Sequence, residues 1–186
     1  MKRAFDLTLS VALAIFCAFP IIIVSIFILC SSRGPILFWS RRIGKDNKEF
    51  YMPKFRTMHA NTPVVATDLL DSPERYITPL GFFLRKTSLD ELPQIWCVIT
   101  GSMSIVGPRP ALSTQSDLIA SRTRIGVHRL VPGLTGLAQI NGRDHISMSQ
   151  KVELDHEYLL TRCLCLDIKI VLITISKVLA GSDITH

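Results

Sequence analysis

The chain of 186 residues carries 21 Lys and Arg against 15 Asp and Glu, and 48% of its residues are hydrophobic. The positive excess lies entirely in residues 1–60, beside an apolar segment, and this placement favours anionic membrane headgroups as partners. There is no aromatic-rich basic stripe or nucleic-acid-binding motif, which argues against nucleic acid. Five cysteines, an odd number, argue against a disulfide framework and indicate a reducing compartment.

Residues 7–32 form an apolar segment without a charged residue. As a helix rising about 1.5 Å per residue, it matches the roughly 30 Å hydrocarbon core of a bilayer. Pro20 removes a backbone hydrogen bond near its middle and predicts a kink. Basic residues flank both ends, so both ends can prefer the cytoplasmic side. These observations fit a re-entrant helix that bends at Pro20 and returns to the same face. A spanning helix and a cleaved signal peptide are the alternatives, the latter weakened by the length of the segment.

Beyond residue 33, alternating apolar residues and the positions of proline and glycine predict short strands, turns and helices. Strands are expected at residues 35–39, 50–58 and 104–106, a turn at 44–47, a surface loop at 61–78 and a loop–strand–loop segment at 131–143. Helices are expected at residues 80–85, 113–122 and 149–161. The first of them is expected to lie on the membrane surface, because large apolar residues stand beside Arg85 and Lys86.

The C-terminal residues predict a final helix, because apolar side chains recur there at helical spacing. The stripe consists of Ile168, Val171, Leu172, Ile175, Val178 and Leu179. It can pack into the core or dock on a membrane surface, and the sequence leaves both interpretations open.

Asp90 and Glu91 are the most informative pair outside the apolar segment. Ser88, followed three residues later by Glu91, has the pattern of a capping box, which predicts a helix that begins here and ends at Gly101. Acids in the first turn of a helix are stabilised by its dipole and can be purely structural. Their neighbours decide between that interpretation and a chemical one.

Arg85 lies five residues before this pair, and further arginines stand in turns bounded by proline or glycine. The latter are Arg56, Arg109 and Arg143. A guanidinium group suits bidentate contact with phosphate oxygens, and nearby backbone amides can approach the same group. Together with two carboxylates, these residues predict a phosphate site. A carboxylate can attack phosphorus and form an acyl phosphate, and a divalent ion such as Mg²⁺ would offset the negative charge of the phosphates.

Three ordered motifs resemble those of bacterial sugar transferases, and more narrowly those of the small monotopic phosphoglycosyl transferases. The motifs are Ser88-Leu-Asp-Glu-Leu-Pro-Gln94, Gly107-Pro-Arg-Pro110 and Pro132-Gly-Leu-Thr-Gly-Leu-Ala-Gln-Ile-Asn-Gly-Arg143. The resemblance covers nearly the whole chain and implies an α+β monotopic membrane protein. Residues 1–33 would form a re-entrant membrane helix kinked at Pro20. Residues 34–186 would form a cytoplasmic catalytic domain with a small irregular sheet, surface-lying amphipathic helices and a C-terminal helix.

The resemblance also implies a reaction, in which sugar-1-phosphate passes from a UDP-sugar to polyprenol (undecaprenyl) phosphate. The products are polyprenol-diphosphate-sugar and UMP, and the step begins bacterial glycoconjugate synthesis. Mg²⁺ is the expected cofactor. The expected location is the cytoplasmic face of the bacterial inner membrane, with its lipids as partners. A homo-oligomer and contact with downstream glycosyltransferases are compatible with this function.

The family's site residues carry over to matching positions of this sequence. Asp90 would be the nucleophile, forming a covalent phospho-sugar ester, and would also contact the metal. Glu91 would position the metal or move the proton of the incoming polyprenol phosphate. Asp155 matches an acidic position of the family and is a candidate supporting acid. The positions expected to bind phosphate or nucleotide are Lys54, Arg56, Arg85, Arg109 and Arg143.

The sequence departs from the family pattern at two places. Phe19 stands before Pro20 where relatives often have serine, and Val131 stands where they often have arginine or lysine. Two other functions are kept as alternatives: a non-catalytic membrane scaffold that recruits glycosyltransferases, and a phosphohydrolase acting on polyprenol diphosphates. The sequence leaves the sugar and the pathway open.

Overall fold

The computed structural model describes residues 1–59, 61–62, 72–142 and 146–180. Its helices are α1 (Lys2–Ser31), α2 (Pro79–Lys86), α3 (Ile95–Thr100), α4 (Ser116–Arg124), α5 (Leu137–Ile140), α6 (Met148–Thr161) and α7 (Leu164–Ala180). Its strands are β1 (Leu37–Ile43), β2 (Glu49–Phe55), β3 (Ser104–Val106), β4 (Ala111–Leu112) and β5 (Gly133–Thr135). Long helices combined with small sheets confirm the predicted α+β class. Half of the surface loop predicted at 61–78, residues 63–71, lies outside the described residues.

The described strands form two small sheets, one of three strands and one of two. β1 pairs antiparallel with β2 along its whole length and antiparallel with β4 at Arg42 and Ile43. The connection between β1 and β2 contains Asp46 and Asn47 with φ values of 54° and 58°, a left-handed conformation that Asp and Asn tolerate better than most residues. β3 and β5 pair in parallel. The predicted strands are therefore present, although β1 lies further along the chain than expected.

Gly107 and Gly133 allow β3 and β5 to continue into two tightly packed loops. A Cβ atom added to Gly133 would lie 2.1 Å from the backbone nitrogen of Gly107. Only glycine permits two backbones to approach so closely. This contact holds the Gly107–Pro110 segment against the Pro132–Gly136 segment, so two of the motifs found in the sequence lie side by side.

α1 is one continuous helix through Pro20, and it packs along one face against the rest of the protein. By length and composition, it is long and apolar enough to cross a membrane. Its buried face consists of Asp6, Ser10, Cys17, Val24 and Ile28. The remaining faces carry large exposed apolar side chains, with Phe16 81% exposed and Phe19 72% exposed. The predicted kink at Pro20 stays a prediction.

Polar contacts attach the beginning of α1 to the domain. Arg3 donates hydrogen bonds to the carbonyl oxygens of Val98 and Ile99 at 2.6 and 2.8 Å, which satisfies the C-terminal end of α3. The carboxylate of Asp6 accepts hydrogen bonds from the Ser104 hydroxyl and from the backbone of β3. The start of the apolar helix is thus bonded to the segment that follows the Asp90–Glu91 pair.

Two hydrophobic clusters form the core, and α1 contributes to both. The larger one joins α3, β3, α6 and α7, with Leu9 and Leu13 of α1 packed against it. The smaller one contains Val24 and Ile28 of α1 together with Phe55 and Leu84. Because α1 touches both clusters, it is part of the fold as well as an apolar surface.

The capping box predicted at Ser88 is wrong. Ser88 has φ 55° and ψ 15°, a left-handed conformation, and its side chain makes no capping hydrogen bond. An N-cap residue normally has extended backbone, so this geometry cannot form the motif. The chain instead enters a 3-10 helix, Leu89–Gln94, which continues into α3. The predicted end at Gly101 is confirmed, with φ 90°.

The apolar stripe of the last helix lies largely on its exposed face. Asp167 and Ile170 are buried, whereas Leu172 is 62% exposed and Ile175 is 51% exposed. The interpretation that the whole stripe packs into the core is therefore wrong, although Val171 is partly buried. The side chain of Leu179 lies outside the described residues. Docking on a membrane surface stays a prediction. α5, a single short helix, was not expected within the 131–143 segment.

Candidate active site

Asp90 and Glu91 lie on the 3-10 helix Leu89–Gln94, which packs against β2. The ammonium group of Lys54, on β2, lies 2.9 Å from Glu91 Oε1 and 3.9 Å from Asp90 Oδ2. Asp90 is buried, with 8% of its surface exposed, and Glu91 is partly buried. The structure therefore brings three of the predicted site residues together in one place.

Arg109 reaches the same carboxylate from the Gly107–Pro110 segment. Its Nη2 atom donates a hydrogen bond to Glu91 Oε1 at 3.1 Å. Glu91 Oε1 thus bridges two cations, Lys54 and Arg109, the first of which also lies near Asp90. Hydrogen bonds to ionised groups are the stronger ones in proteins, so this arrangement holds the cations before any ligand arrives.

Arg85, at the end of α2, approaches the site from another side. Its Nε atom donates to Thr57 Oγ1 at 3.0 Å. Burial lowers the pKa of Arg85, and the negative charge of Asp90 opposes that shift. Phosphate or nucleotide binding by Arg85 stays a prediction.

Arg42, on β1, is a site residue that the sequence did not reveal. It donates to the Ser40 hydroxyl and to the carbonyl of Pro110. Burial and the positive charge of Arg109 lower the pKa of Arg42 to about 10, while Glu91 opposes the shift. A cation held at such a cost gains free energy when an anion binds beside it. Alternation along β1 could have separated Arg42 from the exposed Arg41.

The charges of this cluster suit a ligand with several negative charges. Two carboxylates are surrounded by four cationic side chains, Arg42, Lys54, Arg85 and Arg109. The formal excess of positive charge is unusual for a partly buried site, because like charges repel more strongly away from water. A bound diphosphate would offset the excess.

Two other predicted site residues, Arg56 and Asp155, lie elsewhere. Arg56 is buried and donates hydrogen bonds to Ser32 and to the Arg33 carbonyl, at the end of α1. Asp155, on α6, is bonded to Arg122 rather than to the Asp90–Glu91 pair. Arg143 lies outside the described residues. Phosphate or nucleotide binding by Arg56 and Arg143 stays a prediction.

The donor atoms at this site fit Mg²⁺ only in part. Asp90 supplies carboxylate oxygens, the ligand type that Mg²⁺ prefers. Within the described part of the chain, no group of three or more His, Cys, Asp or Glu side chains could hold a metal ion. An ion bound here would therefore draw further ligands from water and from the oxygens of a bound diphosphate, as Mg²⁺ commonly does.

A family model described as bacterial sugar transferase matches residues 1–181. This chain belongs to that family. The uncharacterized sugar transferase EpsL of Bacillus subtilis is 40% identical over 99% of this chain and 90% of its own length. The undecaprenyl-phosphate glucose phosphotransferase of Komagataeibacter xylinus is also 40% identical, over 95% of this chain. The UDP-glucose:undecaprenyl-phosphate glucose-1-phosphate transferase of Escherichia coli is 38% identical over 95%.

The relatives of this chain differ in length. The chain spans 35% of the Komagataeibacter protein and 40% of the Escherichia coli protein. The similarity includes the segment with Asp90 and Glu91, the Gly107–Pro110 segment and the apolar helix α1. The family assignment thus confirms the resemblance seen in the sequence.

Proposed function

We propose that this protein is a phosphoglycosyl transferase, which moves sugar-1-phosphate from a UDP-sugar to polyprenol phosphate. The observation that carries the proposal is the buried Asp90 beside Glu91, with Lys54 and Arg109 fixed by the same carboxylate oxygen. The site offers a nucleophile and an excess of positive charge for two adjacent phosphates. The names of the Komagataeibacter and Escherichia coli relatives both support undecaprenyl phosphate as the acceptor. The name of the Escherichia coli relative also supports a UDP-sugar as the donor.

The first step is a displacement at the phosphorus that carries the sugar. A carboxylate oxygen of Asp90 forms a bond to this phosphorus, and the bond to the bridging oxygen of UMP breaks. The electron pair of that bond leaves with UMP, whose negative charge is stabilised by Lys54, Arg42 and Arg109. Asp90 would contribute a ligand to Mg²⁺, and the ion would supply additional positive charge for the diphosphate.

The second step releases the sugar phosphate from the protein. An oxygen of polyprenol phosphate attacks the same phosphorus, the bond to Asp90 breaks, and the carboxylate is regenerated. Glu91 keeps Lys54 and Arg109 in place throughout, and it is the nearby base for a proton on the incoming polyprenol phosphate. Two displacements of this kind divide one difficult transfer into two easier ones.

A panel of UDP-sugars tests this function. The purified protein with polyprenol phosphate should release UMP from at least one UDP-sugar and place radiolabelled sugar in the lipid fraction. A phosphohydrolase would act on polyprenol diphosphates without labelling lipid, and a scaffold would release no UMP. Absence of lipid label with every sugar would refute the transferase.

The pH dependence of UMP release should report the protonation state of Lys54. Burial lowers the pKa of Lys54 below its ordinary value, and Glu91 opposes the shift. As the pH rises, Lys54 should therefore lose its proton earlier than an exposed lysine, and the site loses one positive charge. We expect UMP release to fall in the alkaline range, and Lys54→Arg to move this decline to higher pH. Identical alkaline declines for both proteins would contradict the assignment.

We also propose a monotopic position on the cytoplasmic face of the inner membrane, with α1 re-entering at Pro20. The exposed apolar faces of α1 support contact with lipid, as do the exposed Phe83 of α2 and Trp96 of α3. Contacts of Arg3 and Val24 with the same domain support both ends of α1 lying on one side.

Protease protection tests this topology. Tags at the N-terminus and at the C-terminus should both be cleaved in inverted membrane vesicles and both be protected in intact spheroplasts. The reason is that a re-entrant helix returns the chain to the side from which it entered. A helix that spans the bilayer would instead give opposite results for the two tags.

A further inference from the structure

A buried ion pair contacts the main chain of Arg109. Arg122, on α4, donates from Nε and Nη2 to Asp155 Oδ2 at 2.9 and 2.6 Å. Its remaining terminal nitrogen, Nη1, donates to the main-chain carbonyl of Arg109 at 2.8 Å. Arg122 is 8% exposed and Asp155 is 1% exposed. The three residues form a continuous connection from α6, through α4, to the loop that carries Arg109.

Burying this ion pair costs free energy, which indicates a role other than stabilising the fold. Removing two charges from water costs several kcal/mol, and apolar replacements of buried pairs are often as stable. Burial raises the pKa of Asp155 in spite of the charge of Arg122, so the acid is held in an unfavourable environment. Besides its two bonds to Asp155, the guanidinium of Arg122 makes a third hydrogen bond, and the acceptor is the backbone of a candidate site residue, Arg109.

Neighbouring residues also restrict the backbone conformation at Arg109. Pro108 and Pro110 flank it, and a proline restricts both its own φ and the conformation of the residue before it. Gly107 is fixed against Gly133. The bond from Arg122 then determines the remaining orientation of the peptide, and with it the direction in which the Arg109 side chain leaves the loop.

We infer that Arg122 is a positioning residue, held by Asp155, that fixes the main chain of Arg109 so that its guanidinium reaches Glu91 and the donor diphosphate. The inference rests on the proposed function. Neither Arg122 nor Asp155 touches the substrate in this scheme. This gives a specific role to Asp155, which the sequence indicated only as a supporting acid.

Arg122→Lys is the first test. A lysine ammonium can still pair with Asp155, but it lacks the planar fork that serves Asp155 and the Arg109 carbonyl together. We expect the KM for the UDP-sugar to rise about tenfold, with an unchanged thermal unfolding temperature and a smaller change in kcat. Arg124→Met, an exposed position on the same helix, is the matched control and should behave as wild type.

A cycle with Arg109 separates positioning from a general effect on the fold. In an Arg109→Ala background, Arg122→Lys should cause little further loss, because the side chain that it positions is absent. The double variant Arg122→Met/Asp155→Leu removes the pair but refills the space with apolar groups, so it should remain folded. It should show the same rise in KM as Arg122→Lys.

Two results would overturn the inference. One is a wild-type KM in folded Arg122→Lys and in the folded double variant. The other is a rise in KM for Arg109→Ala/Arg122→Lys that equals the product of the rises in the two single variants. This result would show that Arg122 acts independently of Arg109. Wild-type protein that releases no UMP from any UDP-sugar would instead refute the proposed function, and the inference with it.

Discussion

Asp90→Asn is expected to lower UMP release by roughly 10⁴-fold or more, because the amide has no negatively charged oxygen to attack phosphorus. The replacement has nearly the same size and shape as the original side chain. It lies beside Lys54 and Arg85, so donor binding should persist while the chemical step fails. The measurement is initial UMP release with saturating UDP-sugar, together with thermal unfolding to show that the variant is folded.

Asp117→Asn is the matched control, because Asp117 is an exposed acid in the first turn of α4. It should keep full turnover. A second measurement identifies the intermediate: wild-type protein given UDP-sugar without a lipid acceptor should gain the mass of a sugar phosphate on Asp90. Turnover by Asp90→Asn, or an adduct on another residue, would refute Asp90 as the nucleophile.

Glu91→Gln is expected to lower kcat/KM by roughly 10²- to 10³-fold. The neutral amide removes the charge that holds Lys54 and Arg109, whose nitrogens lie 2.9 and 3.1 Å from the same oxygen. The two cations then repel each other and leave their positions beside Asp90. Both the KM for the UDP-sugar and kcat should change, which steady-state kinetics of UMP release would measure.

Glu49→Gln provides the comparison. Glu49 also pairs with an arginine, Arg41, but this pair is exposed at the surface of the β1–β2 hairpin. Exposed pairs contribute little, so the change should leave both kinetic constants within about twofold of wild type. Equal losses in the two variants would mean that Glu91 has no special role.

The site residues that the sequence revealed are those that belong to compact motifs. Asp90, Glu91 and Arg109 stand within short runs that contain proline or glycine, and the structure joins Arg109 directly to Glu91. Lys54 lay in a strand motif, and the structure places it between the two acids. The local sequence was enough to predict these site residues, because each motif forms one turn or one strand end.

Other residues acquire their role only through packing between distant elements. Arg42 and Arg122 stand in ordinary strand and helix sequence, and only the fold brings them to Arg109. The capping box at Ser88 failed for a different, local reason. The chain leaves α2 through a turn in which the Ser88 amide donates to the carbonyl of Arg85, and Ser88 has a left-handed backbone there.

The place of α1 in both hydrophobic clusters has a practical consequence for handling the protein. A version beginning at residue 34 would lose the buried Val24 and Ile28, at about 1.5–3 kcal/mol each, together with the partly buried Leu9 and Leu13. Such a loss is a large fraction of the roughly 5–15 kcal/mol that stabilises a folded domain. Solubilisation by truncation should therefore yield aggregate, and harsh detergents that compete for α1 should inactivate the enzyme by loosening its interior.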